Sequence, residues 1–147
     1  MQNKKFVLDS SVFLKIFFVE HDSEKAIKFL NETVTKRLPL LAPQIFIHEV
    51  YAACAKNIDI GWTHDLTLAT LRKYQPYMEI VDLNENLSAL AFQIAQTGHA
   101  KSGFPSFYDC LYHALAIQEK CTFVTADEKH FNKTHKKFGH IKLLKNT

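Results

Sequence analysis

Phe6-Val7-Leu8 is an unbroken apolar run, and Asp9 ends it at once. Such a run fits a strand buried on both faces of a parallel sheet, because a half-exposed strand would alternate apolar and polar residues. Thr122-Phe123-Val124-Thr125 repeats the pattern near the other end of the chain, with Asp127 two residues on. The segments between them alternate in type. A helix is expected within residues 11 to 18. Asp22-Ser23 caps a second helix to about Lys36, with Ala26, Ile27 and Leu30 on its inner face. Leu38 to Ala42 reads as a strand, and Pro43 opens the helix 43 to 56. A helix near 63 to 74, a strand at Glu79 to Leu83 and a helix near 85 to 97 follow. Gly98 to Pro105 is a loop, Ser106 caps a helix to about Lys120, and Ile141 to Leu144 is a last strand. Alternating strands and helices predict an α/β three-layer sandwich, a central parallel sheet flanked by helices. The 147 residues suit a single domain spanning 1–147.

Composition narrows the function classes. With 47% hydrophobic and 22% charged residues, and only 4 Gly and 4 Pro, the chain is neither disordered nor fibrous. No apolar run is long enough for a membrane span; Val12 to Val19 comes closest, and Lys15 interrupts it. The start, Met1 to Asp9, imitates a signal peptide but loses its apolar stretch after three residues. Cys54, Cys110 and Cys121 are irregularly spaced and read as free thiols, so a cytoplasmic location is expected. The net charge of +3 is too small to name a nucleic-acid partner by itself. Its distribution says more. Lys129, Lys133, Lys136, Lys137, Lys142 and Lys145 crowd the last stretch with one acid among them, either as a solvated end or as a phosphate-facing edge.

Four carboxylates stand in unusual places. Asp9 and Asp127 fall at the carboxyl ends of strands, where open α/β sheets bind ligands, and where an aspartate also serves as a helix N-cap. Glu49 lies inside the helix 43 to 56, one turn from Ile45, Phe46, Ala52 and Ala53. A carboxylate on such a face needs a cation, a hydrogen-bonding partner or a shifted pKa. Asp109 is the third residue of the helix after Ser106, an arrangement close to a capping box. At about 4 Å and an effective dielectric near 20, each like pair would repel by roughly 4 kcal/mol. Four acids converging on one pocket therefore call for a hard divalent cation, and all-oxygen ligation suits Mg²⁺ or Mn²⁺. Such ions activate water and stabilise phosphoryl oxygens in hydrolysis.

These residues resemble a known family. Phe6-Val7-Leu8-Asp9-Ser10-Ser11-Val12-Phe13-Leu14-Lys15, followed by Glu20, is similar to the opening of PIN-domain ribonucleases, in particular VapC-like toxins. His48-Glu49-Val50 resembles their helix-borne Glu. Tyr108-Asp109-Cys110-Leu111-Tyr112-His113-Ala114-Leu115-Ala116 resembles their Tyr-Asp-x-x-Tyr-x-x-Leu-Ala segment. Phe123-Val124-Thr125-Ala126-Asp127 resembles their Thr-x-Asp ending. The likeness runs in order over about residues 5 to 143. It implies a PIN-like fold and a Mg²⁺- or Mn²⁺-dependent endoribonuclease with Asp9, Glu49, Asp109 and Asp127 in its acidic pocket. Ser11 and Thr125 would orient carboxylates or water, and the products would carry 5′-phosphate and 3′-hydroxyl ends. The resemblance further implies a small cognate antitoxin and a homodimer. Gly98 to Pro105 is longer and more polar than the family's approach to its third acid, and reads as a rim.

Other readings compete. A haloacid-dehalogenase-like phosphatase needs a second Asp where Ser11 stands. A zinc site from Cys110, His113, Cys121 and His130 lacks finger-type ligand pairs. Trp62 and the twelve phenylalanines are expected mostly in the core, with a base-stacking role for few. A stand-alone RNA-processing nuclease of the same fold, or a silent RNA- or protein-binding module, remains an alternative.

Overall fold

The computed structural model describes residues 4–147. Met1 to Asn3, the start of the leader-like stretch, lie outside the described residues. Five strands, β1 (Phe6–Leu8), β2 (Leu40–Pro43), β3 (Met78–Val81), β4 (Thr122–Thr125) and β5 (Ile141–Leu143), form one sheet in the order β3-β2-β1-β4-β5. Every pairing is parallel, as the apolar runs require. Phe6 pairs with Leu40 on one side and Thr122 on the other, so β1 is central. From it the chain builds outward one way to β3, then returns to lay β4 on the opposite flank. That reversal opens a crevice beyond the carboxyl ends of β1 and β4.

Among the described residues seven α-helices cover the sheet: α1 (Ser10–Leu14), α2 (Ser23–Thr35), α3 (Ile45–Ala55), α4 (His64–Tyr74), α5 (Glu85–Ala95), α6 (Phe107–Gln118) and α7 (Glu128–Phe138). Successive strand residues point to opposite faces. Phe6 meets Phe29 of α2 edge-on at 5.2 Å on one face. Phe123, level with Val7, stacks on Tyr112 of α6 at 5.8 Å on the other. The core runs through Val7, Leu8, Phe13, Phe46, Ile94, Leu115 and Phe123, all essentially buried. Cys54, Cys110 and Cys121 are free and buried. No helix among the described residues is long and apolar enough to cross a membrane.

Several elements differ from their expected form. Pro43 ends β2 opposite Val81 and does not open a helix. Its missing N–H is harmless there, since Gln44 supplies the next donor to the Val81 carbonyl. The first helix ends at Leu14, and Lys15 turns inward to pair with Glu20 and Asp22. Asp22 therefore precedes α2 without capping it by its side chain. Ile27 is 42% exposed; the inner face of α2 is Ala26, Phe29, Leu30 and Thr33. The basic stretch after Asp127 forms α7, whose inward face consists of His130 and Thr134.

Candidate active site

Asp9 leaves β1 and caps α1: its Oδ1 accepts from the Ser11 N–H at 3.2 Å. Its other oxygen accepts from the Thr125 hydroxyl of β4 at 2.6 Å. The central strand and its neighbour thus fix one carboxylate from both sides, and Asp9 is only 3% exposed. Burial raises its pKa, hydrogen bonds from Thr125 and Ser11 oppose the rise, and the charge of Glu49 adds to it. Thr125 also accepts from the Asp127 N–H at 3.1 Å, so one hydroxyl ties together the two strand-end acids. Asp127 caps α7 through the His130 N–H at 3.1 Å. Capping thus holds for both aspartates; it uses one oxygen of each, and the second oxygen of Asp9 is the one that accepts from Thr125.

Glu49 forms no salt bridge among the described residues. Its Oε1 accepts instead from the Tyr112 hydroxyl at 2.5 Å and the Ser10 hydroxyl at 3.3 Å. Tyr112 is fully buried. The desolvation and adjacent charge that push its own pKa up keep it a donor. Ser10 and Tyr112 are the site residues that the sequence reading left without a role. Tyr112 lies three residues after Asp109, hence on the same helix face, which is the signal that could have singled it out. Ser11 acts on Asp9 chiefly through its backbone N–H, and its exposed hydroxyl adds a smaller hydrogen-bonding effect that favours the Asp9 carboxylate.

Asp109 enters from the first turn of α6. Ser106 makes no side-chain cap, so the capping-box reading does not hold. Burial first, then the charges of Asp9, Asp127 and Glu49, raise the Asp109 pKa to about 7. All three other acids act on this one carboxylate, so the four predicted acids share one electrostatic field. Among the described residues no three or more His, Cys, Asp or Glu side chains are grouped so that they could hold a metal ion. The chemistry of the four acids, all-oxygen and of like charge, nevertheless suits a hard divalent cation. His113 and His130 do meet, at 3.1 Å, but they bond to each other and to the Gly139 carbonyl, not to a thiol.

Two clefts converge on Asp127. One, of about 830 Å³, runs past Ser11, Phe17, Phe18 and Ala53. The other, of about 700 Å³, is flanked by Lys15, His21, Lys129 and Lys145.

The family model for the PIN domain matches residues 6–137. Among solved structures, the chain resembles VapBC2 from Rickettsia felis bound to a DNA fragment from their promoter. Identity there is 17%, the TM-score is 0.71, and the match covers 94% of this chain and 97% of that one. It also resembles DNA-bound VapBC from Salmonella typhimurium (16% identity, TM-score 0.70, covering 96% and 98%). A third is FitAcB from Neisseria gonorrhoeae (15% identity, TM-score 0.66, covering 94% and 95%). No curated protein matches the chain.

Proposed function

The chain belongs to the PIN domain family, and from that premise we propose that it is a metal-dependent endoribonuclease, the toxin of a VapBC-like toxin-antitoxin pair. The observation that carries this reading is the linkage of the acids: the Thr125 hydroxyl donates to Asp9 and accepts from the Asp127 N–H, and the charges of Asp9, Asp127 and Glu49 add to burial in raising the Asp109 pKa to about 7. Asp9, Glu49, Asp109 and Asp127 would hold Mg²⁺ or Mn²⁺, which supplies acidified water and charge neutralisation at a phosphodiester.

This chain's own residues do the positioning. Thr125 aims Asp9 by donating to one of its oxygens, and α6 brings Asp109 to the same crevice. Tyr112 and Ser10 hold one oxygen of Glu49, which leaves the other free to accept a proton from the attacking water. Of the lysines that flank the second cleft, Lys15 is paired with Glu20 and Asp22 and Lys145 with Glu128, which leaves Lys129 to meet a phosphate. The similar structures include VapBC2 and VapBC bound to DNA, and a toxin-antitoxin complex from Klebsiella pneumoniae. That supports a small cognate antitoxin as partner; a homodimer acting on RNA in the cytoplasm is part of the same proposal and rests on the family resemblance alone.

Incubation of the purified chain with a mixed RNA pool and Mn²⁺ tests the reading. Cleavage is expected, abolished by EDTA and by Asp9→Asn. RNA bound but left intact by the parent would instead identify a silent binding module of the same fold.

A further inference from the structure

Phe104, Phe107 and Tyr108 immediately precede Asp109, and they are 59%, 37% and 56% exposed. Single exposed aromatics are ordinary, but three within five residues of the chain, directly before Asp109, make an uncommon concentration of exposed rings. The segment that carries them is held in place. His99 and Gly103 pair across a small antiparallel bridge. Lys133 of α7 donates to the Ser102 and Gly103 carbonyls at 2.9 and 3.1 Å. A Cβ at Gly98 would lie 2.3 Å from the Gly103 oxygen and 2.9 Å from the Phe104 ring, so only glycine lets the turn close and lets that ring lie over it. Phe107 and Tyr108 meet edge-on, with ring centres 6.3 Å apart. No acidic residue occurs between His99 and Tyr108, and Lys101 is at the tip. Across the clamp, α7 adds Lys129, Lys136 and Lys137, all exposed.

We propose that Phe104, Phe107 and Tyr108 form a stacking platform for unpaired RNA bases beside the scissile phosphate, with the lysines of α7 tracking the backbone. The proposal rests on the nuclease reading above and adds the residues that would hold the bases. Each base has a face that an exposed ring can cover, whereas a duplex keeps those faces stacked inside. A protein partner could also cover the rings. The surrounding lysines and the acid-free segment instead favour a polyanion.

Fluorescence anisotropy in EDTA, where nothing is cut, provides the test. The probe is fluorescein-labelled oligoadenylate, unpaired or annealed to oligouridylate. The parent is expected to bind the unpaired strand at least about tenfold more tightly than the duplex. Phe104→Ala and Tyr108→Ala are each expected to weaken unpaired binding by about tenfold, with Tyr108→Phe retaining it. Both side chains are exposed, so the variants should keep the parent's circular dichroism. Binding by the alanine variants equal to the parent overturns the platform. So does loss of self-association on sedimentation without loss of RNA binding, which assigns the rings to a protein interface. A parent that leaves RNA intact with Mn²⁺ counts against the nuclease reading. A parent that cuts, with alanine variants that bind and cut as it does, overturns the platform alone.

Discussion

Replacing Asp109 with asparagine removes an acid disfavoured first by burial and then by the charges of Asp9, Asp127 and Glu49. Its pKa rises from 3.8 to about 7 on folding. Between about pH 4 and pH 7 the folded chain therefore keeps a proton that the unfolded chain has released. The stability contribution of this residue falls as pH rises through that window and is lowest above it. Asp109→Asn should stabilise the metal-free protein by a few kcal/mol near pH 8 (order of magnitude), with the gain shrinking toward pH 4 in thermal melts. Saturating Mn²⁺ should raise the parent's melting temperature above pH 7 and not that of the variant. Tyr112→Phe deletes the hydroxyl that holds Glu49. The expected cost is about 1 kcal/mol in urea unfolding, with a lower kcat for RNA cleavage and little change in KM. At this scale the sequence exposed the acids and, through the family resemblance, Thr125 as a holder of Asp9, but hid the two hydroxyls that hold Glu49. An aspartate after an apolar run is conspicuous, whereas a serine beside it and a tyrosine among core residues read as packing.

The element that most needs support is α7, which carries Asp127 at its start and buries no aliphatic side chain. It is pinned to α6 by the His130–His113–Gly139 chain of hydrogen bonds. Burial lowers the His113 pKa, and burial with His113 beside it lowers that of His130 to about 4. Both rings are therefore neutral in the fold. Below about pH 6.5 the unfolded chain gains protons that the folded chain refuses, so their contribution is lost as pH falls toward 4. His130→Ala should cost roughly 2–4 kcal/mol near pH 7 in urea titration and flatten the loss of stability on acidification. A weaker Mn²⁺ affinity is expected with it, because α7 positions Asp127. Gly98→Ala should open the turn before α6, read as faster hydrogen exchange at His99 and Gly103. The helix itself was illegible in the sequence because its buried face is histidine and threonine, so no apolar period marks it. Pro43 misled for the opposite reason: proline suits a helix start and a strand end alike, and the Val81 pairing decides between them.

For the whole molecule, the parallel sheet was legible because Phe6–Leu8 and Thr122–Thr125 are apolar without alternation, and a chain with helices between such strands has few other ways to bury them. The strand order was not legible. The side of β1 on which β4 lies is settled by long-range packing of α6 against both sheet and α5, which no local pattern records. That order creates the crevice and brings together Asp9 and Asp127, which are distant in sequence. Calorimetric titration of Mn²⁺ into the parent and into Asp9→Asn, Glu49→Gln, Asp109→Asn and Asp127→Asn measures the convergence directly. Saturable binding by the parent, weakened at least about tenfold by each amide, is the predicted result. A parent that binds no Mn²⁺, or amide variants that bind as it does, would contradict it.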